Sequence, residues 1–186
     1  MQFNNLGLIG YGEVGKIFAS GLRNQVARVL AWDLKLDPVA APPAVRAQEK
    51  AHAAQAGVQT CTSLQALCET ADCIISAVTA SNTLAVVQEA ARHLRPGTVF
   101  LDLNSASPGT KQQAAALIDA AGGHYVEAGV MTSVPPYGIR VPMLLGGAMA
   151  APLAEQLRAW GMDANPVSAD IGVASAIKMC RSVMIK

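Results

Sequence analysis

Short apolar runs alternate with stretches of helical periodicity along the whole chain. Residues 6–9, Leu-Gly-Leu-Ile, fit a strand buried on both faces of a sheet. Residues 16–25 read as a helix, and residues 28–32 as a second strand that ends at Asp33. A Pro- and Ala-rich loop over residues 37–43 precedes a helix over 44–56 that stops at Gly57. Ser63 caps a short helix to Thr70, and residues 73–78 form the next buried strand. Ser81 or Asn82 caps a helix to Leu94, ended by Arg95-Pro96-Gly97. A strand over 98–103 leads to Ser107-Pro108, a cap and an N1 proline for a helix to Ala121. A strand over 125–130, a proline-rich loop over 131–141, a short strand over 143–145 and a helix over 152–160 follow. Residues 171–186 read as a last helix. Strand and helix in alternation predict an α/β fold, a Rossmann-type doubly wound sheet with mostly parallel strands.

The first strand-to-helix turn is Gly10-Tyr11-Gly12-Glu13-Val14-Gly15. Gly10 permits the tight turn, Gly12 leaves no Cβ between backbone and a phosphate, and Gly15 lets the helix approach the strand. The free N–H groups of that helix end face an anion, so the turn predicts a pyrophosphate. Three glycines alone are a weak signal, and a glycine-rich turn also occurs in other α/β proteins. Asp33 adds to it. It lies 23 positions after Gly10, close to the offset of about 20 at which an acid accepts hydrogen bonds from the adenosine ribose.

Composition narrows the class. At 186 residues the chain is one domain, or one domain with part of another. Of the chain, 52% is hydrophobic, much of it alanine, and only 4% is aromatic, which suits helices packed closely on a sheet. No apolar stretch is long enough to span a bilayer. The first strand begins almost at the N-terminus, which leaves no room for a signal peptide and predicts a cytoplasmic protein. A net charge of +1 with scattered charges argues against a nucleic-acid partner, which needs a basic patch. The cysteines at 61, 68, 73 and 180 match neither zinc nor CxxC redox spacing, so they read as buried or semi-buried thiols and no metal is expected.

In such a sheet ligands bind outside the carboxyl ends of the strands, at the switch point. Three segments reach that place. The first, Ala77-Val78-Thr79, is small and lightly polar and can pass under a ribose and a nicotinamide. The second, Asp102 to Pro108, offers an acid, the Asn104 amide, the Ser105 and Ser107 hydroxyls and a helix N-terminus. These suit a carboxylate or a carboxamide, and equally suit a plain capped helix. Lys178 is the third, in a mostly apolar helix, with Ser175 and Ser182 on its side at i−3 and i+4. Apolar surroundings disfavour its charged form and favour acid–base work. From this helix alone, a lysine reaching out to solvent is the better reading.

Taken together, the segments resemble the β-hydroxyacid dehydrogenase family of 3-hydroxyisobutyrate dehydrogenases, tartronate semialdehyde reductases and 6-phosphogluconate dehydrogenases. Gly7 to Gly15 is similar to their cofactor motif, and Asp102 to Pro108 to their substrate signature. Val130 through Gly147 resembles the following loop and strand, and Gly172 to Lys178 the segment bearing their catalytic lysine. Asn104 to Gly109 and Val134 to Pro136 match the phosphogluconate-dehydrogenase-like branch. The resemblance implies an NAD(P)-dependent oxidoreductase that moves a hydride between nicotinamide and a small hydroxy acid or sugar acid. Lys178 would be the general acid–base, Asn104 and Ser105 would orient substrate and nicotinamide, and Ser107 would belong to the substrate signature. The lysine tells against imine reductases, which share the scaffold.

The chain also departs from the family. Met131-Thr132-Ser133 stands where Ser-Gly-Gly is usual, and Ser182 where an asparagine follows the lysine by four. These residues would meet the substrate with different donors, which implies a different substrate. Leu34 after Asp33, where NADP-using members often carry arginine, favours NAD, while Lys35 nearby leaves NADP open. The last helix shows no C-cap glycine and keeps Met184 and Ile185 apolar. This predicts that residues 1–168 are the dinucleotide domain and that 169–186 begin an interdomain helix. The family's all-helical second domain, which closes the substrate site and commonly builds a homodimer, would then lie beyond the chain, and the chain alone would turn over poorly. The rival expectation is a non-catalytic NAD(P)-binding module, a sensor or scaffold.

Overall fold

The computed structural model describes residues 1–184. Eight strands form one sheet in the order β3-β2-β1-β4-β5-β6-β7-β8. They are β1 (Asn5–Ile9), β2 (Arg28–Trp32), β3 (Gln59–Thr60), β4 (Cys73–Ser76), β5 (Val99–Asp102), β6 (His124–Val130), β7 (Met143–Gly146) and β8 (Ala164–Ser168). All neighbours are parallel except β6 with β7, which run antiparallel. The expected doubly wound, mostly parallel sheet is what the chain forms. The helices are α1 (Glu13–Leu22), α2 (Pro43–Gln55), α3 (Leu64–Cys68), α4 (Thr83–Ala91), α5 (Pro108–Ala120), α6 (Ala150–Ala159) and α7 (Val173–Met184).

Side chains alternate across each strand, and two cores result. One face buries Leu6, Leu8, Val29, Ala31, Ile75 and Leu101 under Phe18, Leu22 and Leu157. The other buries Ile9, Leu30, Ile74, Phe100 and Tyr125 under Leu67, Val87 and Ile118. Gly7 is needed here, since a Cβ on it would lie 2.7 Å from Leu67 Cδ2.

Several boundaries differ from the sequence reading. α1 begins at Glu13 rather than at residue 16, because Gly12 is its N-cap and the helix rises straight from the turn. β4 ends at Ser76, two residues early. Val78 N–H leaves the ladder and donates to Asn104 Oδ1 at 2.7 Å. Asn82 precedes α4 without a side-chain cap bond, after a 3-10 turn over Ala80–Asn82. β3 and β8 form in addition. α7 is described to Met184, and the last two residues of the expected helix lie outside the described residues.

The four cysteines are free. Burial pushes the Cys68 and Cys73 thiols up to about 12. Cys180 is exposed, against the expectation of buried thiols, because it lies on the outer side of α7. No helix of the described residues is long and apolar enough to cross a membrane.

Candidate functional site

The chain order reverses between β1 and β4, so a crevice opens where their carboxyl ends diverge. Two clefts occupy it. The first, about 780 Å³, is lined by Gly10, Gly12, Glu13, Trp32, Asp33 and Thr79, among others. The second, about 550 Å³, is lined by Asn104, Ser105, Met131, Thr132, Lys178 and Ser182, among others. Val14, Ala77 and Val78 line both and join them.

The glycine turn forms the floor of the first cleft. Gly10 has φ +94°, and a Cβ there would meet Ala77 O at 2.4 Å. A Cβ on Gly15 would lie 2.0 Å from Gly10 O. Around Gly12 a Cβ would meet nothing within 4 Å, so the space above it is open. No side chain caps α1 at Gly12, and the first N–H groups of a helix have no partner within it. Open space over uncapped N–H groups fits a pyrophosphate. Asp33 Oδ2 accepts from Tyr11 N–H at 2.7 Å and Oδ1 from Lys35 N–H at 2.9 Å. Each oxygen keeps a lone pair for a ribose hydroxyl.

Three predicted cofactor residues act from outside the clefts. Gly15 is buried inside α1. The Tyr11 ring is buried, with its hydroxyl 3.2 Å from His52 Nδ1, so only its backbone serves the turn. Lys35 is exposed and does not line the first cleft.

The second cleft is built by the turn after β5 and by α7. Asn104 is buried; its Oδ1 holds Val78 N–H, and its Nδ2 donates to Ser76 Oγ at 3.1 Å. One amide hydrogen remains for a ligand. Lys178 Nζ is half-buried and donates to Ser105 Oγ at 2.5 Å. Burial holds its ammonium below the ordinary lysine range; Lys111 adds to this and Asp102 opposes it. Ser182 Oγ donates to Lys178 O at 3.0 Å. Met131 and Thr132 line the cleft, but Ser133 and Ser107 do not. Ser107 caps α5, accepting from Thr110 N–H at 3.2 Å. Ser175 is buried and donates to Gly172 O at 3.1 Å, away from Lys178.

The family model for the NAD binding domain of 6-phosphogluconate dehydrogenase matches residues 5–136. The chain belongs to this family. It therefore carries an NAD-binding domain. Among solved structures, a conserved hypothetical protein from Sinorhizobium meliloti 1021 is 40% identical, over 99% of this chain and 60% of its own, with a TM-score of 0.91. A second conserved protein of unknown function, reported to be structurally similar to 3-hydroxyacid dehydrogenases, is 30% identical over 97% of this chain and 64% of its own, with a TM-score of 0.79. The fold is shared by Mycobacterium tuberculosis 3-hydroxyisobutyrate dehydrogenase, solved with L-serine, at 18% identity over 99% of this chain and 60% of its own, with a TM-score of 0.81. The chain thus spans less than two thirds of the length of these similar proteins. No curated protein matches it.

In this NAD-binding domain several groups that position the site escaped the sequence reading. Glu127 on β6 is buried, and its Oε1 accepts from Gly172 N–H at 2.6 Å and Ala174 N–H at 3.0 Å. It caps α7 one turn before Lys178. Lys111 on α5 is wholly buried, its Nζ 3.0 Å from both Asp102 O and Asp102 Oδ1. Arg181 lines the second cleft three residues after Lys178. A helical count from Lys178 reaches it directly, and Glu127 stands out as an acid inside an apolar strand.

Gly129 sets the distance of α7 from the sheet. A Cβ there would lie 2.8 Å from Ala174 O and 3.5 Å from Lys178 Cβ. Gly129→Ala therefore pushes α7 outward and carries Lys178 with it. We expect calorimetry to show unchanged NAD affinity in this variant, because Lys178 lines the second cleft and not the first.

Proposed function

We propose that the protein is an NAD-dependent oxidoreductase of a small hydroxy acid or sugar acid, with Lys178 as general acid–base. The observation that carries this reading is the half-buried Lys178 Nζ, held by Ser105 in a cleft continuous with the dinucleotide cleft. Bound nicotinamide supplies the hydride chemistry. Lys178 in its neutral form takes the proton from the substrate hydroxyl during oxidation, and in its protonated form returns it to a carbonyl during reduction. Ser105 fixes the amine and offers a hydroxyl to the same oxygen. Leu103, Val130 and Val134 form an apolar wall that limits water around the amine. A lysine whose charged form is disfavoured by burial gives up its proton more readily than a free one, which suits this exchange.

The lining of the first cleft supports NAD over NADP. Glu13, Asp33, Asp37 and Glu89 line it, with no Lys, Arg or His among the described residues. A 2′-phosphate would meet like charge, which costs several kcal/mol at close range. We expect calorimetric titration to give NAD at least about tenfold tighter binding than NADP, a difference of about 1.4 kcal/mol. Equal affinities would remove this assignment.

The domain division follows from the same reading. Residues 1–168 form the dinucleotide unit and 169–186 lead from it, which the greater length of the similar structures supports. The reading is tested by screening 2-hydroxy, 3-hydroxy and sugar acids with NAD and NADP, using full-length protein. Cofactor binding without reduction by any acid of the panel would favour a binding module instead.

A further inference from the structure

The two joined clefts carry opposite charge. Among the described residues the first is lined by four carboxylates and no cation, and the second by Lys178 and Arg181 and no carboxylate. Arg181 forms no ion pair among the described residues. Among those residues its guanidinium makes one hydrogen bond, from Nη1 to Met131 O. Four of its five N–H donors are left. Structural bonds do not use the charge, and it faces the cleft that holds the acid–base lysine.

The other polar groups around it are neutral. Ser105, Thr132 and Ser182 offer hydroxyls, and Asn104 is largely engaged with Val78 and Ser76. Only the guanidinium presents the planar fork that matches a carboxylate with two parallel bonds. α7 places Lys178, Arg181 and Ser182 at i, i+3 and i+4, on one face. A reacting carbon at Lys178 and an anion at Arg181 are thereby set a short span apart. This suits an acid whose hydroxyl is on the second or third carbon.

We propose that Arg181 is the specificity-determining residue that binds the substrate carboxylate, while Lys178 and Ser105 take the reacting hydroxyl. This rests on the hydroxy-acid reading above and deepens it. The cationic second cleft draws the acid to the reacting end. Neutral alcohols and amine substrates gain nothing from such a site.

Two measurements on full-length protein loaded with NAD or NADH test the assignment. In the first, oxidation of the best hydroxy acid is compared with that of its uncharged methyl ester in wild type, Arg181→Gln and Arg181→Lys. Arg181→Gln is expected to raise KM for the acid by roughly 30-fold, the loss of a charge-assisted pair of bonds. The ester's KM stays unchanged, and Arg181→Lys recovers only part of the acid's affinity. Equal changes for acid and ester, or no change for either, would overturn the proposal. The second measurement is calorimetric binding of oxalate, a carboxylate that this reaction does not oxidise. Weaker oxalate binding in Arg181→Gln than in wild type supports the site; equal binding, or none in wild type, refutes it. If no acid is oxidised, the hydroxy-acid reading fails by itself, and the oxalate comparison still decides the role of Arg181.

Discussion

Lys178→Ala is expected to lower kcat/KM for hydroxy-acid oxidation by about 10²–10⁴-fold, the usual contribution of a positioned acid–base. NAD affinity should stay within about twofold, because Lys178 lines the second cleft and not the first. Steady-state kinetics with parallel calorimetry read both quantities. The pH profile carries a second signature. Oxidation needs the neutral amine, so kcat/KM rises with pH as Lys178 loses its proton. Burial and the nearby Lys111 lower that pKa. The rising limb therefore lies below the ordinary lysine range and disappears in Lys178→Ala. Equal activity in the variant would remove the lysine from the mechanism.

Lys111→Met is expected to destabilise the protein by about 3–5 kcal/mol, the cost of leaving one partner of a buried ion pair alone. Both Lys111 and Asp102 are 0% exposed. Asp102 Oδ1 also accepts from Asn104 N–H at 2.8 Å, and Oδ2 from the Tyr125 hydroxyl at 2.5 Å. The carboxylate thus ties β5, β6 and α5 together beneath the turn that carries Asn104 and Ser105. Burial lowers the pKa of the Lys111 ammonium, and Asp102 and Glu127 counter this. Removing the lysine leaves a charge that these neutral donors only partly satisfy. Lys111→Met with Asp102→Asn should recover most of the loss, which urea unfolding of both single variants and the pair would measure. The single variant should also shift the Lys178 limb upward in pH, because a neighbouring cation is gone.

How far the sequence reaches can be judged from particular residues. Residues 6–9, 28–32, 73–78 and 98–103 read as strands and form them, with ends shifted by up to two residues, since a strand covered on both faces leaves a continuous apolar run. β3 and β8 escaped because neither carries such a run. Gln59–Thr60 is two residues long, and β8 holds Asn165 and Pro166 at the sheet edge, where tertiary pairing rather than propensity makes the strand. The glycine turn was legible because each glycine answers a backbone demand. What the turn could not show was that the Tyr11 ring points into the core.

Lys111 left a signal that went unread. It shares one stripe of α5 with Ala114, Ala115 and Ile118, all of them buried. A lysine on an apolar stripe calls for a buried acid, and Asp102 stands nine residues before it. Arg181 stands at i+3 from Lys178, within reach of a helical count, with Met179 and Cys180 as its chain neighbours. In the fold those two are exposed, and Arg181 turns to the cleft.

The most direct test of the account follows the hydride itself. Full-length protein is incubated with NAD and a hydroxy acid deuterated at the carbinol carbon, and the cofactor is recovered for mass spectrometry. The account predicts deuterium in the NADH formed by wild type, and the same label forming about 10²–10⁴-fold more slowly with Lys178→Ala. NAD that binds in the cleft yet gains no deuterium from any acid of the panel would contradict it.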